Sequence, residues 1–271
     1  MNDTQRLATN GLTCHVKQAG TGPPLLFLGG SNFDLSINAP IFNSKLCKHY
    51  SVAAADPRGL GLTDAPQGFW YMKDYAQDAL DLLDLLGWEK VDVMGESFGA
   101  MVALELSLLA PDRIERMVLA AGAPGGAGGS SYPIQELQQI SDKRERAIKT
   151  LSIQDVRFER SLTDDPAAAE QLIVERMQKE KRFLVHANNA TGYPRLLATR
   201  ATHDCWDRLS NINAQTLIIA GKFDQQAPLA CSEAMAARIP SSRLIALPAG
   251  HTVSFSSNAA VDKILAHWGN Q

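Results

Sequence analysis

The sequence predicts an α/β protein built on one mostly parallel sheet flanked by helices. Short apolar runs of strand length alternate with amphipathic segments of helix length. These segments are bounded by glycine, proline or aspartate, the residues of turns. The alternation breaks off in mid-chain over a charged stretch with helical patterning, then resumes. With 271 residues, 45% of them apolar, the chain can bury one large core that carries an insertion.

Residues 6–9 and 12–18 flank Asn10-Gly11, a hairpin turn signal. Residues 24–28 form an apolar run ending at Gly29-Gly30, and 51–55 another ending at Asp56-Pro57; both are expected to be buried strands. Residues 75–86 place apolar side chains at helical spacing, with Gly87 as the stop. A strand is expected over 91–94, a helix over 98–110 and a strand over 117–121. The 98–110 helix is apolar nearly all round, so it should be deeply buried. Residues 122–131 are glycine-rich and fit neither GxGxxG nor GxxxxGK[ST], so they are expected to be a linker. From about 134 to 209 the pattern is helical. Strands over 216–220 and 243–247 then alternate with helices over 229–238 and 259–268. Residues 1–123 and 209–271 are therefore expected to form the core, and 124–208 a helical insertion between two strands.

Composition narrows the function. The net charge is −3 with no basic patch, which argues against a nucleic-acid partner. No apolar run approaches the ~18 residues of a membrane span. The polar start MNDTQRLATN has no hydrophobic signal region. Cys14, Cys47, Cys205 and Cys231 are scattered, with no CxxC pair and no metal spacing. They read as reduced thiols of a cytoplasmic protein. No cofactor and no metal are expected.

The chemistry concentrates at Gly95-Glu96-Ser97-Phe98-Gly99, a G-x-S-x-G pattern between a predicted strand and a predicted helix. A serine nucleophile suits this place. The glycines let a sharp turn pass close to its neighbours, and the helix start directs unpaired N–H groups at the reacting carbonyl. An inert glycine-softened turn is the competing reading. Serine needs a base, and the base an orienting acid. Of six histidines, His251 follows the predicted strand 243–247, so it should rise at the same sheet edge as Ser97. Asp224 lies in the loop after strand 216–220. The chain order Ser97, Asp224, His251 is then the one this topology expects.

Four segments resemble the α/β-hydrolase superfamily, over nearly the whole chain. They are Leu28-Gly29-Gly30-Ser31, the loop from Asp56 through Arg58, Gly59, Gly61 and Thr63 to Asp64, the GESFG turn, and the paired GKFDQQAP and GHTVSF loops. The loop from Asp56 to Asp64 is similar to the family's DxRGxGxSD loop, with Thr63 where serine is usual. Within the superfamily, LDLLDLLG before the 91–94 strand and APDRI after the 98–110 helix are similar to the small esterase and 3-oxoadipate enol-lactonase group.

The resemblance implies an eight-stranded α/β-hydrolase fold whose helical insertion caps the active site. It also implies oxyanion donors on the backbone N–H groups of Phe98 and of Ser31 or its neighbour Gly30, with Ser31 favoured. Gly30, Phe33, Met101 and Trp206 are candidate substrate contacts, with core packing as the competing reading for the side chains. Many members carry His-Gly where this chain has Gly29-Gly30, so support for the oxyanion loop must come from elsewhere. Arg195 and Arg200 could bind a substrate carboxylate, or be solvated surface. His203-Asp204-Cys205 reads as a helix end, since three adjacent residues cannot easily ligate one ion.

The expected function is hydrolysis of a small carboxylic ester or lactone through an acyl-enzyme. C–C bond hydrolysis of a diketone-like metabolite is the alternative enzyme reading. A ligand receptor with little turnover is the non-enzyme one. Epoxide hydrolase and haloalkane dehalogenase chemistry is disfavoured, because those relatives have aspartate where this chain has Ser97.

Overall fold

The computed structural model describes residues 4–9, 11–36 and 39–269. Eight strands form one sheet: β1 (Thr4–Ala8), β2 (Thr13–Ala19), β3 (Pro24–Leu28), β4 (Ser51–Ala55), β5 (Val91–Glu96), β6 (Ile114–Ala120), β7 (Gln215–Gly221) and β8 (Ser242–Leu247). Their order is β1-β2-β4-β3-β5-β6-β7-β8. β2 pairs antiparallel with β1 and β4, and every other pairing is parallel. The register of the first pair leaves two residues between Thr9 and Leu12, as the sequence predicts. Ala8 stands opposite Thr13, and the Thr9 N–H donates to the Leu12 carbonyl at 2.8 Å. Asn10 lies outside the described residues.

The parallel strands are apolar on both faces, because successive side chains point to opposite sides and both sides are covered. Leu26, Val93, Met117, Leu119 and Ile218 pack into one layer with helices α1 (Met72–Leu85), α2 (Phe98–Leu109) and α7 (Leu229–Arg238). Leu25, Phe27, Met94, Val118 and Leu217 pack into the other with α8 (Asn258–His267) and the short 3-10 helices near Ile41 and Leu46. α2 is buried from Phe98 through Ser107, as its all-round apolarity predicts. α1 starts one turn earlier than the apolar period suggests. The Asp74 carboxylate accepts from the Tyr71 N–H at 2.7 Å, which satisfies one free donor at the helix start.

Between β6 and β7 the chain is helical: α3 (Lys143–Gln154), α4 (Phe158–Asp164), α5 (Pro166–Phe183) and α6 (Ala187–Ala201), with short 3-10 turns at either end. α3, α4 and α5 share a small apolar cluster of Ala147, Phe158, Ala169 and Ile173. α6 packs down on the sheet layer, with Leu196 and Leu197 joining Tyr75, Phe98 and Val102. Asn189 of α6 pins these helices to two core loops. Its amide donates to Asp34 at 2.7 Å and to the Phe183 carbonyl at 2.6 Å, and its oxygen accepts from the Gly61 N–H at 2.6 Å.

Candidate active site

The order β4-β3-β5 marks where the winding reverses, since β3 leads to β4 on one side and β5 lies on the other. In open parallel sheets a crevice forms at that reversal, beyond the strands' carboxyl ends. Ser97 leaves β5 there and Gly30-Ser31 leave β3.

Ser97 has φ 55° and ψ −112°, a conformation that L residues rarely adopt. Its N–H donates to the Ala120 carbonyl of β6 at 2.8 Å, and its carbonyl accepts from Ala100 at 3.0 Å. Both flanking glycines are required by close approach. A Cβ on Gly95 would collide with the Gly99 carbonyl, and one on Gly99 with the Leu28 carbonyl. The turn therefore brings α2 against the end of β3 and leaves Ser97 at the tip.

His251 Nε2 lies 2.8 Å from Ser97 Oγ, and His251 Nδ1 lies 2.8 Å from Asp224 Oδ2. All three residues are buried. The other carboxylate oxygen of Asp224 accepts from the N–H groups of Gln226 at 2.7 Å and Ala227 at 2.9 Å, which fixes the carboxylate plane. With a carboxylate at Nδ1, the neutral imidazole carries its proton there and presents a lone pair to Ser97. The other described histidines sit elsewhere. His15, for example, pairs with buried Asp56 at 2.7 Å, far along the chain from the turn.

The β3 loop passes beside the serine: a Cβ on Gly30 would stand 3.7 Å from that of Ser97. Ser31 is buried and lines the same cavity. Phe98 is the first residue of α2, where an N–H has no acceptor within the helix. An aromatic ring packs against the β3 loop. The Phe33 ring packs so closely on Gly29 that a Cβ there would overlap it, and it meets Phe27 edge-to-face at 5.6 Å.

Ser97 and His251 open into a cavity of about 650 Å³. Gly30, Ser31 and Phe33 line it from the β3 loop, and residues of α3, α5 and α6 close it from above. Met101 and Trp206 do not reach it, contrary to the sequence expectation. The Met101 side chain packs instead in the apolar cluster that α2 shares with Leu196 and Leu197 of α6. Trp206 packs over Gly128, with the Arg238 guanidinium 4.4 Å above its ring. Arg195 and Arg200 are also placed elsewhere. Arg195 stacks on Trp70 at 3.5 Å, and Arg200 donates to the Tyr132 carbonyl at 2.8 Å.

The cations at the cavity are instead Arg146, Arg176, Lys179 and Arg182. Arg146 is paired with Glu180 at 2.5 Å. Among the described residues Arg176 and Lys179 form no ion pair. Burial pushes the Lys179 amine below its ordinary range, and the like charges of Arg176 and Arg182 push the same way against Glu96. Burial pushes the Glu96 carboxyl upward, opposed by His251 and Lys179. Arg176 and Lys179 stand three apart on α5, so they share a helix face. That spacing is legible in the sequence, but it matches a solvated face equally well. Gln226 also carries no sequence signal of its own, although it lies two residues after Asp224 in the GKFDQQAP loop. Its amide nitrogen is 2.8 Å from His251 Nε2. Among the described residues no three His, Cys, Asp or Glu side chains converge as metal ligands, and no helix is long and apolar enough to cross a membrane.

Residues 23–257 match the family model described as alpha/beta hydrolase fold. The chain is 29% identical over 239 residues to 2-hydroxymuconate semialdehyde hydrolase of Pseudomonas sp. strain CF600, covering 83% of this chain and 79% of that protein. It is 26% identical over 264 residues to 2-hydroxy-6-oxo-2,4-heptadienoate hydrolase of Pseudomonas putida F1, covering 92% and 89%. The enol-lactonase of Burkholderia xenovorans LB400 has a similar fold, with a TM-score of 0.78 at 24% identity over 98% of this chain and 100% of that one.

Proposed function

The chain belongs to the α/β hydrolase fold family, and on that premise we propose that it is a serine hydrolase cleaving a small carboxylic ester or lactone. The observation that carries this reading is the line of two 2.8 Å contacts from Ser97 through His251 to Asp224. Ser97 Oγ attacks the carbonyl while its proton passes to His251 Nε2. Asp224 holds the tautomer and stabilises the imidazolium. The N–H groups of Phe98 and Ser31 bind the developing oxyanion; such donors are worth ~3 kcal/mol each in typical sites. The C–O bond then breaks, and His251 returns the proton to the alkoxide. Water attacks the acyl-enzyme, His251 takes its proton, and the acid leaves. No step requires a cofactor or a metal.

The helices of 124–208 serve as the cap in this reading, excluding water and shaping the pocket. Arg176 and Lys179 favour a substrate that carries an anionic group of its own. The same observation supports a second reading, C–C hydrolysis of a diketone-like acid by the same three residues. Two curated relatives are named as hydrolases of 2-hydroxymuconate semialdehyde and 2-hydroxy-6-oxo-2,4-heptadienoate.

Hydrolysis of short-chain p-nitrophenyl esters by the wild type and by Ser97→Ala tests the reading. The wild type is expected to turn over and to be labelled by a fluorophosphonate, and Ser97→Ala to do neither. Labelling that survives Ser97→Ala would place the nucleophile elsewhere.

A further inference from the structure

Two donors converge on one lone pair at His251. Asp224 holds the ring proton on Nδ1, so Nε2 of the neutral ring is an acceptor with one in-plane lone pair. Ser97 Oγ stands 2.8 Å from it, and so does the side-chain nitrogen of Gln226. An amide oxygen facing Nε2 would set lone pair against lone pair, so the NH₂ end is the one that fits the neutral ring. The Gln226 oxygen meanwhile accepts from the Gln154 amide of α3 at 3.3 Å. The Gln226 backbone is fixed at both ends: its N–H donates to Asp224 at 2.7 Å, and its carbonyl accepts from Tyr132 at 2.8 Å. The side chain is buried and lines the cavity.

Resting on the serine-hydrolase reading, we propose that Gln226 is a positioning residue that acts through His251, favouring the neutral ring able to take the Ser97 proton. Its N–H bond stabilises the unprotonated imidazole. Once Nε2 carries a proton, the NH₂ group opposes it and drives that proton toward the leaving group. Gln154 holds the amide in this orientation, so a helix outside the sheet contributes to the state of the base. The charged groups that face the ring are Asp224, from the loop after β7, and Glu96, at the end of β5. Lys179 of α5 faces Glu96 in turn. Gln226 meets the ring among these groups as a neutral donor.

The test is the titration of His251 by NMR of isotopically labelled protein, beside the pH profile of kcat/KM for p-nitrophenyl acetate. Wild type, Gln226→Met and Gln226→Glu are compared. Gln226→Met keeps the volume and removes the donor. Its titration midpoint and acid limb should both move up by about half a unit to one unit, the size of one ordinary hydrogen bond. Gln226→Glu replaces the donor by a carboxylate and should move both further in the same direction. A downward move in Gln226→Met, or no move in either variant, overturns the proposal; a purely structural role would lower kcat without shifting the limb. The NMR titration is repeated in Ser97→Ala, where it needs no turnover. Failure of hydrolysis with an intact shift sinks the hydrolase reading alone, and hydrolysis without a shift sinks this one alone.

Discussion

The main-chain N–H of His251 donates to the carbonyl of Gln154 at 2.6 Å. Gln154 is the last residue of α3, and the final carbonyls of a helix have no partner within it. The loop carrying Asp224 uses the same helix end. Gln225 N–H donates to the Ile153 carbonyl at 2.9 Å, and Val156 N–H to the Phe223 carbonyl at 3.0 Å. The helical stretch between β6 and β7 therefore positions the histidine and acid loops as well as roofing the cavity.

Asp224→Asn should retain the fold and lose turnover. The asparagine oxygen can still accept from Gln226 and Ala227, but its NH₂ would face His251 Nδ1 and impose the other tautomer. Removal of the carboxylate is expected to lower kcat by roughly 10⁴-fold. Steady-state kinetics beside a thermal melt check this, and near-normal kcat would place the orienting acid elsewhere.

Gly99→Ala should fail for a purely steric reason. The new methyl would enter the Leu28 carbonyl, and backbone cannot step aside as a flexible side chain can. A destabilisation of about 3 kcal/mol or more is expected, read from urea unfolding. A wild-type midpoint would mean that α2 does not approach β3 so closely.

His203 should make the fold acid-sensitive. Burial pushes its imidazole down to about 4, against an opposing effect of Glu105. A lowered histidine is neutral in both states above its unfolded value near 6.5. As pH falls from 6.5 toward 4, only the unfolded chain takes up the proton, so stability is lost across that window. The gap corresponds to roughly 3 kcal/mol at most. Urea midpoints of wild type and His203→Gln between pH 7 and 4 should converge as pH falls. Parallel curves would assign the acid sensitivity to other groups.

Arg176→Ala and Lys179→Ala should change substrate preference. For p-nitrophenyl hydrogen succinate against p-nitrophenyl butyrate, the ratio of kcat/KM values should drop by roughly tenfold when a charge-assisted contact is removed. An unchanged ratio in both variants would mean that the cations do not meet the substrate.

By itself the sequence determined the order and type of the elements. Periods of 2 and 3.6 are local properties, and β3, β4 and α7 match their predicted spans residue for residue. Ser97, Asp224 and His251 were legible for a related reason. Each follows a strand whose direction is set by parallel pairing, so chain position alone carries them to one sheet edge. The lining of the cavity was decided only by the tertiary structure. Met101 and Phe33 are both apolar residues beside a strand end, and only helix rotation and loop path put Phe33 at the cavity and Met101 in the core. Arg195 stacks on a tryptophan while Arg176 meets the cavity, because the crossing of α5 and α6 sets which helix face points inward. Gln226 and Gln154 meet at His251 from positions 72 residues apart. No local pattern encodes that distance; packing of α3 against the sheet loops does.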